Sequence, residues 1–189
     1  TSEFKVYVCI DNGSSGTNIN GNPSIDEPTF TGLEPAAAGS SGDGYLWKYM
    51  FTISPSDVIK FDSIEYIPIP NDWDTSTNEE IKNIRENGNN QIKKIYIKSG
   101  GSGYSGSAIC DILGDGSGGK VQIDINSTGE ITSATVTKGG SGYSYGIIDL
   151  DSINESVTTG NFAELIPIIP PSKGHGFDAY TELGADKTL

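Results

Sequence analysis

The sequence predicts a mainly β protein: an antiparallel β-sandwich or barrel core with an inserted small β module and one or two short helices. Apolar residues recur at every second position in several short runs, the period of a pleated strand. Glycine, at 25 of 189 residues, is nearly twice its usual share and, with Ser, Thr and Asn, supplies tight corners between strands. A strand ending in a glycine-rich turn also occurs twice, which marks an internal repeat. AVILMFWYC residues make up only 34%, but the glycines fill much of that deficit, so the chain reads as folded rather than disordered.

The first strand runs from Phe4 through Val6 and Val8 to Ile10. The alternation begins almost at once and there is no initiator Met, so the core domain reads as N-terminally incomplete. No charged segment followed by an apolar one suggests a secretion signal. Residues 11–43, starting at Asp11-Asn12-Gly13, form a long polar loop of the kind that lies against a partner or stays mobile.

After Gly42-Asp43-Gly44 comes the most regular strand. Tyr45, Trp47, Tyr49, Phe51 and Ile53 share one face, and Leu46, Lys48, Met50 and Thr52 the other. The aromatic stripe reads as core, so Trp47→Ala tests folding before function. Ser54-Pro55 then caps and starts a helix through Phe61. Residues 64–70 are extended, with prolines that confine them to a sheet edge or strand end.

Between Asn71 and Asn90 the residues become helix-compatible, with Ser76 and Glu79 in capping-box spacing and Gly88 placed to end the helix. The repeat follows: Ile97 to Ser105 returns as Val136 to Ser144, with an offset of 39 residues (143 − 104) from Tyr104 to Tyr143. Between the copies, Val121, Ile123 and Ile125 turn at Asn126-Ser127-Thr128-Gly129 into the run Ile131–Thr137, a β-hairpin. The apolar run from Phe162 to Ile169 is expected to return to the first sheet. Residues 1–70 with 156–189 would then form the core domain, 71–90 a helical connector and 91–155 an inserted Gly-rich β-repeat module.

Composition narrows the functions. A net charge of −13 repels phosphate backbones and anionic lipid, so neither nucleic acid nor membrane is an expected partner. No apolar stretch approaches the roughly 20 residues of a spanning helix. Cys9 and Cys110 sit in strand-like runs as small hydrophobes. With one His they cannot build a typical four-ligand zinc site, and no cofactor is expected.

Residues 101–106 match the letters of G-x-G-x-x-G, but a strand-like run follows where a dinucleotide site needs a helix. Asp111, Asp115, Asp149 and Asp151 lack calcium-loop spacing and read as solvated turn residues. His175, between Gly174 and Gly176, has no accompanying nucleophile motif and reads as part of a backbone turn. The chain is therefore not expected to be an enzyme.

The run from Gly42 to Pro55, with Tyr45, Trp47, Tyr49, Phe51 and Ile53, is followed by Glu65-Tyr66-Ile67-Pro68-Ile69-Pro70. Together they resemble the baseplate wedge protein of T4-type contractile-tailed phages, which carries a GDGY-W-Y-F-I-P strand and then an EYI-V-P strand. Residues 6–12 resemble its VYRC strand. The glycine repeats and the closing Gly174-His175-Gly176-Phe177-Asp178 look like cyanophage-type versions. The resemblance implies a two-domain, mainly antiparallel β subunit that dimerises and joins other baseplate wedge proteins. It implies no catalysis, and a location in the virion's tail baseplate after assembly in the host cytoplasm. Expected contact residues are Asn12, Tyr104, Tyr143, His175 and Phe177, on the long loop, the glycine-turn tips and the tail. An alternative is a receptor- or carbohydrate-binding module of a tail fibre presenting Tyr104 and Tyr143 to sugars. A third reading is a polysaccharide hydrolase.

Overall fold

The computed structural model describes residues 4–153, 157 and 161–185. The fold is mainly β, with 32% strand and 12% helix: antiparallel sheets, one curled into a half barrel, and three short helices. The elements in chain order are β1 (Lys5–Asn12), β2 (Tyr45–Thr52), α1 (Pro55–Phe61), α2 (Glu79–Glu86), β3 (Ile95–Ser99), β4 (Ala108–Gly114), β5 (Ser117–Ile125), β6 (Ile131–Ser141), β7 (Gly146–Ile148), β8 (Glu164–Pro167) and α3 (Ala179–Glu182). β1 pairs with β2, β3 with β8, and the remaining four lie in the order β6-β5-β4-β7. Two separate hydrophobic clusters divide the chain into two modules.

The first module is built on β1 and β2. From Lys48 to Phe51 every β2 residue is buried, so the strand is covered on both sides rather than on its aromatic face alone. Its cover comes from distant segments. Ala36 of the long loop bridges to Trp47, and Lys48 Nζ donates to the Leu33 carbonyl at 2.8 Å. Burial is the main cause that pushes the Lys48 ammonium below its ordinary pKa, with the nearby Lys93 charge adding to it. Tyr49, Met50 and Phe51 pack with Trp73, Ile81, Ile84 and Ala179.

Trp73 anchors this core and is fully buried. Its indole N–H is shared between the carbonyls of Gly176 (3.2 Å) and Phe177 (3.1 Å). Its backbone N–H reaches the Tyr180 hydroxyl, which in turn donates to the Pro70 carbonyl. Residues 71–90 are therefore part of the first core and not a free connector, since α2 buries Ile81 and Ile84 there.

Local signals fix the helix starts. The Ser54 hydroxyl accepts from Asp57 N and Pro55 occupies the first turn of α1, as its sequence indicates. α2 starts later than the capping-box spacing suggests. The Asn78 side chain accepts from Glu80 N at 2.9 Å, while Ser76 Oγ faces Asn78 N in the preceding turn. α3 is a further helix, four residues long and too short to show a period in sequence. Residues 64–70 form no strand; Ser63 and Tyr66 close a turn instead.

The second module holds the expected hairpin. β5 and β6 pair around a corner in which Asn126 Oδ1 accepts from Thr128 N and Glu130 N, and Gly129 takes φ +80°. The two repeat copies share backbone geometry: Gly101 and Gly103 have φ 62° and 88°, and their counterparts Gly140 and Gly142 have 65° and 76°. β8 does not return to the first sheet. It pairs with β3 from Ile95↔Pro167 to Ser99↔Glu164, and Leu165 and Ile169 pack on the second cluster. The second module thus extends to about residue 169. Its expected end at residue 155 lies outside the described residues.

Candidate functional site

The expected contact residues separate once placed. Tyr104 and Tyr143 do not stand at exposed tips: they are 5% and 0% exposed. Both rings point inward, and the Tyr143 ring lies over its own glycine turn, where a Cβ on Gly140 would meet it. The Tyr104 hydroxyl accepts from Ala163 N at 2.8 Å. The Tyr143 hydroxyl accepts from Gly119 N at 3.0 Å and donates to the Ile112 carbonyl at 2.9 Å. A buried backbone N–H left unpaired is costly, so the phenol that satisfies it is drawn into the core. Neither ring is presented to a sugar. The glycine turns pack too: a Cβ on Gly100 would meet the Ile131 carbonyl, and one on Gly101 the backbone of residues 161–163.

Asn12 is half-buried and holds its own loop, accepting from Ser14 N at 3.2 Å, while its carbonyl accepts from Asn22 N. Asp43 closes the other end of that loop through Ile25 N and Tyr45 N, and these bonds, Ile25's foremost, lower its carboxyl pKa. The long loop is thereby tied to the first module along its length. His175 Nδ1 contacts Glu182 Oε1, and Glu182 Oε2 accepts from Gly176 N at 2.7 Å. This pair braces the tail against α3. Gly174 and Gly176, at φ 95° and 91°, make the turn the sequence suggests. Phe177 is half-buried with Lys173 Nζ 4.2 Å above its ring.

The acidic turns serve local structure. Asp111, expected in a turn, lies instead within β4, where it pairs with its cross-strand neighbour Lys120, and Asp149 accepts from Asp151 N. Among the described residues no group of three His, Cys, Asp or Glu is placed to hold a metal ion. β4 follows residues 101–106, so the glycine motif joins two strands. Cys110 is buried as expected, whereas Cys9, midway along β1 opposite Trp47, is exposed; both are free thiols, and partial desolvation raises the pKa of each. Among the described residues no helix is long and apolar enough to cross a membrane.

Asp115 gives a pH test of the second repeat copy. The Ser144 hydroxyl at 2.5 Å, then Ser144 N and Tyr145 N, hold its carboxyl down to about 2. Its folded pKa lies below the unfolded value, so this stabilisation is present above about pH 4 and lost as pH falls toward 2. A carboxyl titration by NMR should show a midpoint near 2, moving up toward the ordinary range in Ser144→Ala. A wild-type midpoint near 4 would show that the clasp is absent.

What the sequence did not single out is the surface formed by the end of α1 and the segment after it. Ile59 (86% exposed), Phe61, Ile64 (106%), Tyr66 and Ile67 (61%) follow one another within nine positions, and α1 buries no residue of its own. A smaller set, Ile109, Leu113, Tyr145 and Ile147, is exposed on β4, β7 and the turn before β7, where Leu113 and Ile147 are cross-strand partners. The first run was visible as apolar letters, but nothing in their spacing distinguishes a covered strand from an uncovered projection.

No family model matches this chain, and neither a curated protein nor a solved structure matches it.

Proposed function

We propose that the chain is a structural subunit of a phage tail baseplate wedge, holding neighbouring baseplate proteins together and carrying out no catalytic step. The resemblance carried by residues 42–55 and 65–70 supports this reading. The observation that supports the role is the exposed apolar run from Ile59 to Ile67. Exposed apolar patches of this kind mark protein contact sites, because solvent-exposed Ile and Phe gain free energy when a partner removes them from water. A partner of this surface is expected to be apolar with a basic rim, since Asp57, Asp62 and Glu65 outnumber Lys60 around it. Two modules, each with its own core, and a tied-down long loop suit a part that makes lateral contacts.

An electron-microscopy map of an intact contractile tail tests the assignment. It should place the chain between wedge subunits, with residues 59–67 against a neighbour. A location at a fibre tip would overturn the reading. Ile64→Asp with Ile67→Asp should leave the melting temperature unchanged, since both side chains are exposed, and weaken incorporation into the wedge on the order of ten-fold or more. Normal incorporation would move the contact elsewhere.

A further inference from the structure

The main chain crosses between the modules twice, at residues 87–91 and 170–175, and the two crossings touch through glycines. A Cβ built on Gly174 would lie 2.3 Å from the Gly88 carbonyl carbon, and one on Gly88 would lie 2.8 Å from that of Gly174. Among the described residues only three non-glycines have positive φ: Asn89 (43°), Asn90 (52°) and Lys173 (67°). All three stand at these crossings. Left-handed backbone at non-glycine residues costs free energy and persists where surrounding structure enforces it, often at points that switch.

The crossings are held differently on their two sides. Toward the second module the carbonyls of Asn89 and Asn90 accept from Gly142 N and Tyr143 N, so the second repeat turn grips them. Toward the first module the clasp is polar. Glu34 meets Lys93 at 2.5 Å and Asn87 at 3.1 Å, and Asp11 meets Lys94 at 2.6 Å. One backbone bond, Gly16 N to the Ile97 carbonyl, adds to them. The two hydrophobic clusters share no residue. Beside the Asp11–Lys94 pair lies a cleft of about 310 Å³, lined by Cys9, Asp11 and Asn12 from one module and Lys94, Tyr96 and Ile168 from the other.

We infer that the junction is a hinge: the modules reorient about Gly88 and Gly174, and the Glu34–Lys93 and Asp11–Lys94 pairs hold the observed orientation. Modules that share no hydrophobic core move relative to one another unless something clasps them. In each pair one side chain is nearly buried (Lys93 and Asp11, 8% exposed) and the other reaches water (Glu34 66%, Lys94 34%), so salt screens the pairs in part and high salt loosens the clasp. The cleft leaves room for the motion.

The test uses the full chain with Cys9→Ser and Cys110→Ala, carrying dyes at Lys60→Cys in α1 and Thr135→Cys in β6. Single-molecule energy transfer should show one dominant distance at about 0.1 M salt and a second population at about 1 M salt. Asp11→Asn with Glu34→Gln should raise that second population about five-fold at the lower salt. An unchanged single distance in both salts would overturn the hinge, and the salt arm stands even where the double variant fails to fold. A second population that appears only with loss of circular dichroism would also overturn it, because it would report unfolding.

Discussion

Replacing Trp73 with Ala should destabilise the first core by about 4 kcal/mol, measured by urea denaturation, which is a large part of a typical domain's stability. Two effects combine. The indole is fully buried against Phe51, with ring centroids 5.7 Å apart and tilted by 64°. Its N–H also holds residues 176 and 177, so truncation leaves two carbonyls without a donor and unseats the tail that carries Tyr180 and α3. Because the second cluster shares no residue with the first, its denaturation midpoint should stay in place and the unfolding curve should split into two steps. A loss below about 1 kcal/mol would mean that Trp73 does not anchor the core.

Tyr143 should give the second-largest effect. Tyr143→Ala removes a fully buried ring and should cost about 3 to 5 kcal/mol. Tyr143→Phe isolates the hydroxyl. It keeps the ring but strands Gly119 N–H and relieves the Ile112 carbonyl of its donor, at about 1 to 3 kcal/mol. Tyr104→Phe should cost less, because that hydroxyl holds only Ala163 N among the bonds described above. If Tyr143→Phe were neutral by thermal denaturation, the phenol would not be latching the repeat.

Local signals in the sequence proved reliable where neighbours alone decide the structure. Alternation located β2, the Asn126 to Gly129 corner located the β5–β6 hairpin, and Ser54-Pro55 located α1. Partner choice was not legible. An apolar run at residues 162–169 marks a buried segment and cannot say whether it joins β1 or β3, because pairing depends on which edge the rest of the fold leaves open. The tyrosines of the repeat were legible as aromatics over glycine turns, but not their direction, which is decided by backbone N–H groups of Gly119 and Ala163 brought from far along the chain. Trp73 was overlooked because it stands alone among Asn71, Asp72 and Asp74, where no apolar period announces a core position. The exposed run after α1 was hidden for the converse reason: its letters look like core.

Trp73 also imposes an order of events on synthesis. The carbonyls it grips lie more than 100 positions downstream, so a ribosome must emit the whole second module before the first can close. Residues 91–169 therefore have the opportunity to fold while Tyr49, Met50 and Phe51 still lack their lid. That interval leaves greasy strand surface open on the nascent chain, and a chaperone that shields it would raise the yield of correctly closed protein.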